Sequence, residues 1–568
     1  MTSTFAVLTL RRSEARERYS RLTAILLSMG LRQIGGSARH VVLVAPEAKC
    51  ERFAAGTIVI GGLKGRHRRS SSTVDGGTGR AAERAARDLT GSAWGSYVAL
   101  FDLDEDPAAM VDPSGAGTAY EIADDDLSLL CDHVTPSLVR LAGFDDTVDL
   151  DALWGCLFDP TTALQAKLLS AGQRLVPGRL HSLLGRRAPL TIWSPAMFPE
   201  RRDDPEGRLR AALDVSLAGT GARRPLVQLS GGLDSSIVVG SLALLAPGTQ
   251  AVTATSSAGD VEETQFARSA AAHAGVRLIE KPSPGYPDYR MFCDAPQIAH
   301  PYLHGLDDLF GLGVDEAAAK VGADLVVTGQ GGDALFLNTA SPVVAVDRRR
   351  SLGSRASWRS IVDDARRSRH TIWHHLLPAE MDRFRGARPP EYSMVPPWVA
   401  ERTLSPRIQH SWIDDAAGLP PGKRLHVAML ANSQVYHSER PSPGPTPLYH
   451  PLLSQPMLEA ALSLPAWVLA SGPINRGLAR RAFAARLPPD VARRGSKGAA
   501  TTLYGRAAVA NLAFLREHLI GGALAGAGLI DAQKLDVTLT TDHLFHGQHN
   551  HSLILLASCE AWLRAWRR

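Results

Sequence analysis

Hydrophobic and polar positions follow two different patterns along this chain of 568 residues. Residues 1–195 carry short apolar stretches separated by polar turns, with few helical patterns, which predicts an α+β domain of layered short strands. From Asp204 onward, buried strands alternate with helices, which predicts a doubly wound parallel sheet. The stretch 196–202 between them is rich in Pro and Arg. We therefore expect an α/β protein with two domains, 1–195 and 203–568.

The alternation of strands and helices is clearest in the middle of the chain. Apolar residues predict strands at Pro225–Leu229 and Ala251–Ser256, and helices at Ile237–Leu245 and Val261–Ala274. Residues 348–434 have a mainly helical pattern and are long for a connection. We expect them to form a helical insertion, which lies over the substrate side of the crevice or serves as scaffolding.

Composition limits the class of protein. Hydrophobic residues make up 45% and charged residues 21% of the chain, which is typical of a soluble globular protein. No apolar run is long enough to span a bilayer, and Met1–Leu10 lacks the pattern of a secretory signal. The five cysteines are scattered, which fits a reducing compartment better than a disulfide framework. We expect a cytoplasmic protein with no membrane partner.

The net charge is +5, and short basic runs occur at Arg66–Arg69 and Arg348–Arg350. Such runs attract nucleic acid or acidic peptides, but neither run contains aromatic residues that would stack on bases. We expect a solvated, arginine-rich surface and no nucleic-acid partner. The Gly-, Ser- and Arg-rich stretch Gly65–Gly79 predicts a mobile loop.

The turn after the first predicted strand carries the strongest chemical signal. It reads Leu-Ser-Gly-Gly-Leu-Asp-Ser-Ser over residues 229–236. Glycines let the backbone approach a ligand closely, and hydroxyls beside the N–H groups of a helix start form an anion cradle suited to a di- or triphosphate. The turn lacks the lysine of a Walker loop. The predicted nucleotide-binding residues here are Leu229, Ser230, Gly231, Gly232, Asp234, Ser235 and Ser236.

A second predicted strand runs into a glycine-rich turn that ends in Asp333. The carboxyl ends of parallel strands line the ligand crevice of an open sheet, so we expect this turn to lie beside the first one. Asp234 and Asp333, together with phosphate oxygens, would then form a hard-oxygen site suited to Mg²⁺. The predicted ligands from the second turn are Gly329, Gly331 and Gly332 for the nucleotide and Asp333 for the metal.

The Ser-Gly-Gly-x-Asp-Ser-Ser pattern resembles the pyrophosphate loop of the ATP pyrophosphatase superfamily. Its pairing with Gly-x-Gly-Gly-Asp resembles the asparagine synthetase B family. Weaker similarities link Gly56–Gly62, Trp94–Phe101 and Asp112–Gly115 to a glutaminase-like (Ntn-type) domain, and Arg494–Gly498 to the end of a synthetase domain. The resemblance implies the use of ATP and Mg²⁺, transfer of AMP to a substrate oxygen and release of pyrophosphate.

One position departs from the family pattern. Glutamine-using members begin Met-Cys, and this cysteine hydrolyses glutamine to supply ammonia, whereas this chain has Thr2. An N-terminal threonine can also be a nucleophile, but no glutamine-binding pattern accompanies it. We expect a glutaminase-like domain that keeps its fold without its chemistry, and an amine on the substrate as the nitrogen nucleophile.

The same resemblance implies two catalytic residues outside the glycine-rich turns. Lys497 resembles the late lysine of the superfamily, which reaches the active site and is suited to stabilising an oxyanion. Glu439 resembles a glutamate that precedes Pro-Phe-Leu-Asp, and we predict that it is the general base. In β-lactam synthetases a tyrosine is thought to assist this glutamate; Gln330 takes that position here, and Tyr436 or His437 are alternatives.

Lasso-peptide cyclases, or macrolactam synthetases, look like asparagine synthetases without the nucleophilic cysteine, and this chain resembles them. The resemblance implies that an Asp or Glu side chain of a precursor peptide is adenylated and attacked by the peptide's own N-terminal amine. The implied partners are the precursor peptide, a leader-binding protein and a leader peptidase. The alternatives are β-lactam closure of a small β-amino acid, asparagine synthetase-like amidation with free ammonia, ATP binding without turnover, and tRNA thiolation.

A histidine-rich run near the end of the chain has metal-ligand residue types, at His543, His546, His549 and His551. Helical spacing turns the first three around the axis, and no cysteine joins them. A polar surface or a substrate-facing helix is therefore favoured over a metal site.

Overall fold

The structure is a computed structural model that describes residues 4–53, 56–66, 81–103, 107–255, 261–282, 285–303, 313–385, 395–401, 410–440, 444–495, 500–547 and 549–567. The strands of its N-terminal part are β1 (Phe5–Leu10), β2 (Arg32–Gly36), β3 (His40–Val44), β4 (Cys50–Arg52), β5 (Ile58–Arg66), β6 (Ala93–Phe101), β7 (Ala108–Val111), β8 (Tyr120–Ala123), β9 (Leu127–Cys131), β10 (Gly172–Arg174), β11 (Arg179–Ser182) and β12 (Leu190–Thr191). They form two antiparallel sheets, with the orders β10-β8-β9-β1-β3-β2 and β12-β11-β7-β6-β5-β4.

The two antiparallel sheets stack because β1 is apolar on both faces. Phe5 and Val7 pack with Val98 of the second sheet, whereas Leu8 belongs to a separate core with Leu22. This division follows from the period of two along a strand. The helices of this part are α1 (Arg16–Ser28), α2 (Ala81–Ser92), α3 (Pro136–Leu141) and α4 (Leu150–Phe158).

A parallel sheet forms the centre of the C-terminal part. Its strands are β13 (Pro225–Gln228), β14 (Gln250–Thr255), β15 (Arg277–Pro282), β16 (Leu325–Val327) and β17 (Leu448–Tyr449). They lie in the order β15-β14-β13-β16-β17, and each neighbouring pair is parallel. The strand order reverses between β13 and β16, and such a switch point opens the ligand crevice at the carboxyl ends of the strands.

Helices cover both faces of the parallel sheet and continue beyond it. They are α5 (Pro205–Ala218), α6 (Leu233–Leu245), α7 (Val261–Ala274), α8 (Met291–Asp294), α9 (Val314–Val321), α10 (Gly332–Leu335), α11 (Val343–Leu352), α12 (Trp358–Ser368), α13 (Ile372–Arg385), α14 (Ser411–Asp415), α15 (Pro421–Ser433), α16 (Gln455–Leu462), α17 (Ala466–Leu469), α18 (Gly477–Ala482), α19 (Pro489–Arg493), α20 (Ala500–Ala510), α21 (Leu512–Leu519), α22 (Ala523–Gly526), α23 (Ala532–Thr538), α24 (Thr541–His546) and α25 (Asn550–Trp566). On one face Val227 packs with Ile237 of α6, and on the other Leu226 packs with Val314 of α9. The mixed α/β architecture with a parallel sheet is therefore confirmed.

The predicted elements around the sheet are confirmed with small shifts. β13 and β14 lie within one residue of their predicted ends, and α7 has its predicted bounds. α6 begins at Leu233 rather than Ile237, so Asp234, Ser235 and Ser236 lie in its first turn. The edge strand β17 has two residues and carries too little pattern to be predicted.

The predicted insertion is mainly helical in its described residues. α15 packs against α10 and α11, and the hairpin of α12 and α13 packs against α11. One expectation is wrong: Arg348 is buried, because it forms an ion pair with Asp364 while both side chains are at most 6% exposed. The residues of the predicted loop from 67 onward, and most of the first basic run, lie outside the described ranges.

The two parts share polar contacts as well as an apolar core. Trp154 Nε1 donates to the carbonyl of Ala400 (2.8 Å), and Trp193 Nε1 donates to Glu459 Oε1 (3.0 Å). The segment 196–202 lies between the end of β12 and the start of α5. Among the helices of the described ranges, none combines the length and hydropathy needed to cross a membrane.

Candidate active site

The first glycine-rich turn (residues 229–232) connects β13 to α6. Leu229 N donates to Val252 O of β14 (2.8 Å), so the first residue of the turn still pairs with the neighbouring strand. The hydroxyls of Ser230 and Ser235 lie 3.2 Å apart, and Gly232 N donates to Ser230 Oγ (3.4 Å). Gly232 is the N-cap of α6, and no described side chain caps this helix of 13 residues. Its first N–H groups are therefore oriented toward the turn, as an anion site requires.

The second glycine-rich turn (residues 328–332) packs directly on the start of α6. A Cβ on Gly329 would lie 2.5 Å from Ser235 N, and a Cβ on Gly332 would lie 2.6 Å from Asp234 Cβ. Only glycine leaves room for this approach of two backbones. Two other glycines of the turns, Gly231 and Gly331, have φ of +72° and +83°. The structure thus brings together the two turns that the sequence pattern placed at one end of the sheet.

Asp234 and Asp333 converge on a single cationic group. One nitrogen of Arg476 lies 2.6 Å from Asp234 Oδ2 and 2.7 Å from Asp333 Oδ1. The two carboxylates therefore lie close enough to share one cation. Two carboxylates with phosphate oxygens as further ligands are a donor set that fits Mg²⁺, provided that the guanidinium moves aside. Among the described residues, no cluster of three or more His, Cys, Asp or Glu side chains could hold a metal without such outside ligands.

Arg476 is fixed by its surroundings. Its φ is +55°, a left-handed conformation that costs a non-glycine residue about 1 kcal/mol. The segment before it is anchored by Arg367, which donates to Gly472 O (3.1 Å). Burial and the charge of Arg476 lower the pKa of Arg480 to about 10. The acceptors that hold Arg480 are Asn475 O and Oδ1, Val491 O, Ala492 O and Arg494 O.

Ser236 is less exposed than Ser230 and Ser235, the other serines of the first turn and helix start, and its role in binding the nucleotide stays a prediction. It is 1% exposed, and its hydroxyl makes no hydrogen bond within the described residues. Ser230, by contrast, is exposed at the mouth of the turn.

Lys497 lies outside the described residues, which stop at 495 and resume at 500. The chain enters this segment beside the first turn. Arg494 donates to Gly231 O (3.5 Å), pairs with Glu263 of α7 and stacks 4.0 Å from the ring of Phe266. The role of Lys497 stays a prediction.

Glu439 lies between the two parts of the chain. Its Oε2 is 3.4 Å from His133 Nδ1, at the end of β9. It also lines a cavity of about 390 Å³, which we call the central cavity. The described residues that line it are Thr4, Phe5, Ile60, Gly61, Ser96, Tyr97, Val98, Ala116, Gly117, Thr118, Asp132, His133, Pro296, Tyr302, Glu439 and Arg440.

A narrower cavity lies at the carboxyl ends of the parallel strands. Gln330 lines it together with Gln228, Thr328, Arg440 and His450. Thr328 Oγ1 is 2.7 Å from His450 Nδ1, which fixes that ring. Tyr436 and His437, the alternatives to Glu439 in deprotonating the amine, both lie near the imidazole of His450. The centroids of their rings are 6.2 and 5.6 Å from the centroid of the His450 ring. The choice among these candidate bases stays open.

The profile of the asparagine synthase family matches residues 208–564, which is more than half of the chain and includes both glycine-rich turns. The chain belongs to the asparagine synthase family. Members of this family are ATP-dependent ligases, which agrees with the phosphate-binding geometry at the start of α6. Comparison with curated proteins finds no match for the chain.

Sequence reasoning missed Arg476 and His133. Arg476 is one of several arginines around α18, and nothing in its local pattern separates it from the exposed Arg481. His133 follows β9, and Glu439 comes from the other part of the chain, so no spacing rule connects them. One signal in the sequence could have indicated His133. It follows closely after the strand β9, and polar residues at the end of a sheet often contribute to ligand sites.

The histidine-rich run is not one helix. α24 ends at His546 and α25 begins at Asn550, so the run bends at its centre. The ring of His549 packs edge-on against Trp398, with 5.8 Å between centroids. His543 and His546 are exposed. These positions agree with a polar surface.

Proposed function

We propose that this protein is a macrolactam synthetase of the lasso-peptide cyclase type. It activates an Asp or Glu side chain of a precursor peptide with ATP, and the N-terminal amine of the same peptide closes an isopeptide ring. The observation that carries the proposal is the convergence of both glycine-rich turns and both aspartates, in a chain with no cysteine before Cys50. An ATP-dependent ligase site is then combined with a nitrogen source other than glutamine.

The first step uses the two turns. The N–H groups at the start of α6 and the hydroxyl of Ser230 bind the β- and γ-phosphates. Asp234 and Asp333 would hold Mg²⁺, which neutralises phosphate charge when bound. A carboxylate oxygen of the peptide attacks the α-phosphorus, the bond between the α-phosphorus and the bridging oxygen breaks, and pyrophosphate leaves. The product is an acyl adenylate.

The second step joins the amine to the activated carbon. The peptide amine attacks the acyl carbon, the bond from that carbon to the AMP oxygen breaks, and AMP leaves. The amine loses a proton to Glu439, and Lys497 stabilises the tetrahedral oxyanion. The protein holds the peptide amine and the acyl adenylate in one site, which removes most of the entropic barrier to ring closure.

We further propose that the N-terminal part, residues 1–195, is a glutaminase-like domain that keeps its fold without its chemistry. The turn at Asp112 is stabilised by hydrogen bonds, because its buried carboxylate accepts from the N–H groups of Tyr97, Ser114 and Gly117. Burial raises the pKa of this carboxyl group. Among its described residues, no cysteine lines the central cavity. The nitrogen would therefore come from the substrate itself.

The setting that we propose is a cytoplasmic pathway in which a leader-binding protein and a leader peptidase supply the precursor peptide. Neither nucleic acid nor a membrane is required. The synthetase domain, residues 203–568, would carry both reaction steps.

The test uses synthetic peptides that have a free N-terminus and one Asp or Glu at varied positions. Incubation with protein, ATP and Mg²⁺ should give a product lighter by one water, with one AMP and one pyrophosphate per ring. Asp234→Ala and Asp333→Ala should abolish both products. Release of AMP with a small β-amino acid but with no peptide would instead indicate β-lactam closure, and AMP release with free ammonia and aspartate would indicate amidation.

A further inference from the structure

The central cavity lies between the two parts of the chain, and the proposed reaction leaves its function unassigned. Four of its described lining residues come from the C-terminal part: Pro296, Tyr302, Glu439 and Arg440. The others belong to the two antiparallel sheets and their turns. The cavity therefore exists only where both parts meet.

The cavity is large enough for a small organic group. Its volume is about 390 Å³, which corresponds to about a dozen water molecules at ~30 Å³ each. Pockets for small organic ligands begin at about 300 Å³. Apolar walls from Phe5, Ile60 and Val98 offer surface to a side chain or a short stretch of peptide.

The polar lining favours a cation. Asp132 and Glu439 present carboxylates, and Arg440 is the one Lys or Arg among the described lining residues. Asp132 accepts hydrogen bonds from the backbone N–H groups of Thr4 (2.9 Å) and Phe5 (3.4 Å), so its carboxylate is committed to holding β1. Glu439 is 26% exposed at the cavity wall and contacts His133. Glu439 is thus the carboxylate that an incoming cation would meet.

The central cavity and the narrow cavity at the strand ends share one lining residue. Arg440 lines both the central cavity and the narrow cavity at the carboxyl ends of β13 and β16. Its neighbour Glu439 lies one residue away on the same segment. A group bound at Glu439 would therefore lie on the segment that also borders the strand ends, where the proposed reaction activates the acyl group.

We propose that the central cavity is the binding site for the amine-bearing end of the substrate: Glu439 binds the primary ammonium group, and His133 orients Glu439 across the boundary between the two parts. This proposal rests on the proposed function, since it names the site of its nucleophile. Before attack, the ammonium nitrogen gives one proton to the Glu439 carboxylate, and its lone pair then forms the bond to the acyl carbon. His133 is a positioning residue, because it acts through Glu439.

The experiment measures binding of glycylglycine amide to the full-length protein without ATP, by ligand-detected NMR titration. N-acetyl-glycylglycine amide, which lacks the ammonium group, is the matched ligand. The variants are Glu439→Gln, which removes the charge, and Ala116→Phe, which fills the cavity. Ser96→Phe fills it from another wall, so that a folding defect in one variant does not decide the result. Glu401→Gln is the control, since that side chain is 96% exposed.

Free-amine binding should weaken by at least about tenfold on acetylation and in Glu439→Gln, because a charge-assisted hydrogen bond is lost. It should disappear in both cavity-filling variants and be unchanged in Glu401→Gln. His133→Asn should lower the rate of ring closure more than pyrophosphate release, which a purely structural role would not separate.

Absent binding to the wild type, equal binding of the acetylated ligand, or unchanged binding in the filled variants would overturn the proposal. The binding measurement needs no ATP and no carboxylate, so its failure is distinct from failure of the proposed ligase reaction. Conversely, amine binding in the cavity with no AMP release from any peptide would contradict the proposed reaction.

Discussion

Replacing Arg476 should make the protein depend on Mg²⁺ for stability. The guanidinium is 9% exposed and neutralises two carboxylates, of which Asp234 is 15% and Asp333 is 63% exposed. Removing one partner of a buried pair costs about 3–5 kcal/mol, and the exposure of Asp333 reduces this cost because solvent screens its charge. We expect Arg476→Ala to lose about 2–3 kcal/mol of unfolding free energy without Mg²⁺.

Two features of the site refine this magnitude. Arg476 has φ of +55°, so Arg476→Gly should be about 1 kcal/mol more stable than Arg476→Ala, because glycine adopts this conformation without strain. The two freed carboxylates bind Mg²⁺ without competition from the guanidinium. Millimolar Mg²⁺ should therefore stabilise both variants more than it stabilises the wild type.

Thermal unfolding with and without Mg²⁺ measures these effects. Arg481→Ala, in the helix α18 that Arg476 precedes, is the matched control, since its exposed pair with Glu206 is worth at most about 1 kcal/mol. The reasoning is refuted if Arg476→Ala unfolds at the same temperature as Arg481→Ala in the absence of Mg²⁺. It is also refuted if Mg²⁺ raises the unfolding temperature of the Arg476 variants no more than that of the wild type.

Three further predictions follow from the site and the core. Gly332→Ala places a Cβ 2.6 Å from Asp234 Cβ, so pyrophosphate exchange should fall by at least about tenfold, whereas Gly526→Ala, with no atom within 4 Å of its Cβ, should leave exchange unchanged. Lys497→Ala should stop ring closure while pyrophosphate release continues; normal ring closure would remove the lysine from the mechanism. Burial lowers the pKa of His410 to about 4, so the folded protein binds fewer protons than the unfolded chain. The contribution of His410 to stability should be full above about pH 6.5 and fall by up to about 3 kcal/mol toward pH 4. In urea unfolding at pH 7 and 5, His410→Gln should reduce the total fall, to which other buried histidines such as His426 also contribute.

The parts of the site that follow from local sequence were predictable. A strand, a glycine-rich turn and a helix are set by residues close together in the chain, so the first turn was placed correctly. Its contact with Gly329 followed from the rule that parallel strands end at the same edge of a sheet. The start of α6 was placed four residues late, because its apolar run begins at Ile237 while the helical backbone begins at Leu233.

The contacts that join distant segments were not predictable. Arg476 lies 242 positions from Asp234, and its role depends on how α18 packs near the parallel sheet. Arg348 looked like solvated surface because its buried partner, Asp364, is on another helix. An arginine in a basic run has the same sequence pattern whether it is exposed or forms a buried ion pair. Only tertiary packing distinguishes the two cases.

Transfer of a substrate oxygen to AMP tests the central claim most directly. A peptide with both oxygens of its Asp or Glu side chain labelled with ¹⁸O is incubated with the protein, ATP and Mg²⁺, and the AMP is analysed by mass spectrometry. We predict one ¹⁸O atom in each AMP and one in the ring amide. Unlabelled AMP, or formation of ADP and phosphate in place of AMP and pyrophosphate, would contradict activation by adenylation.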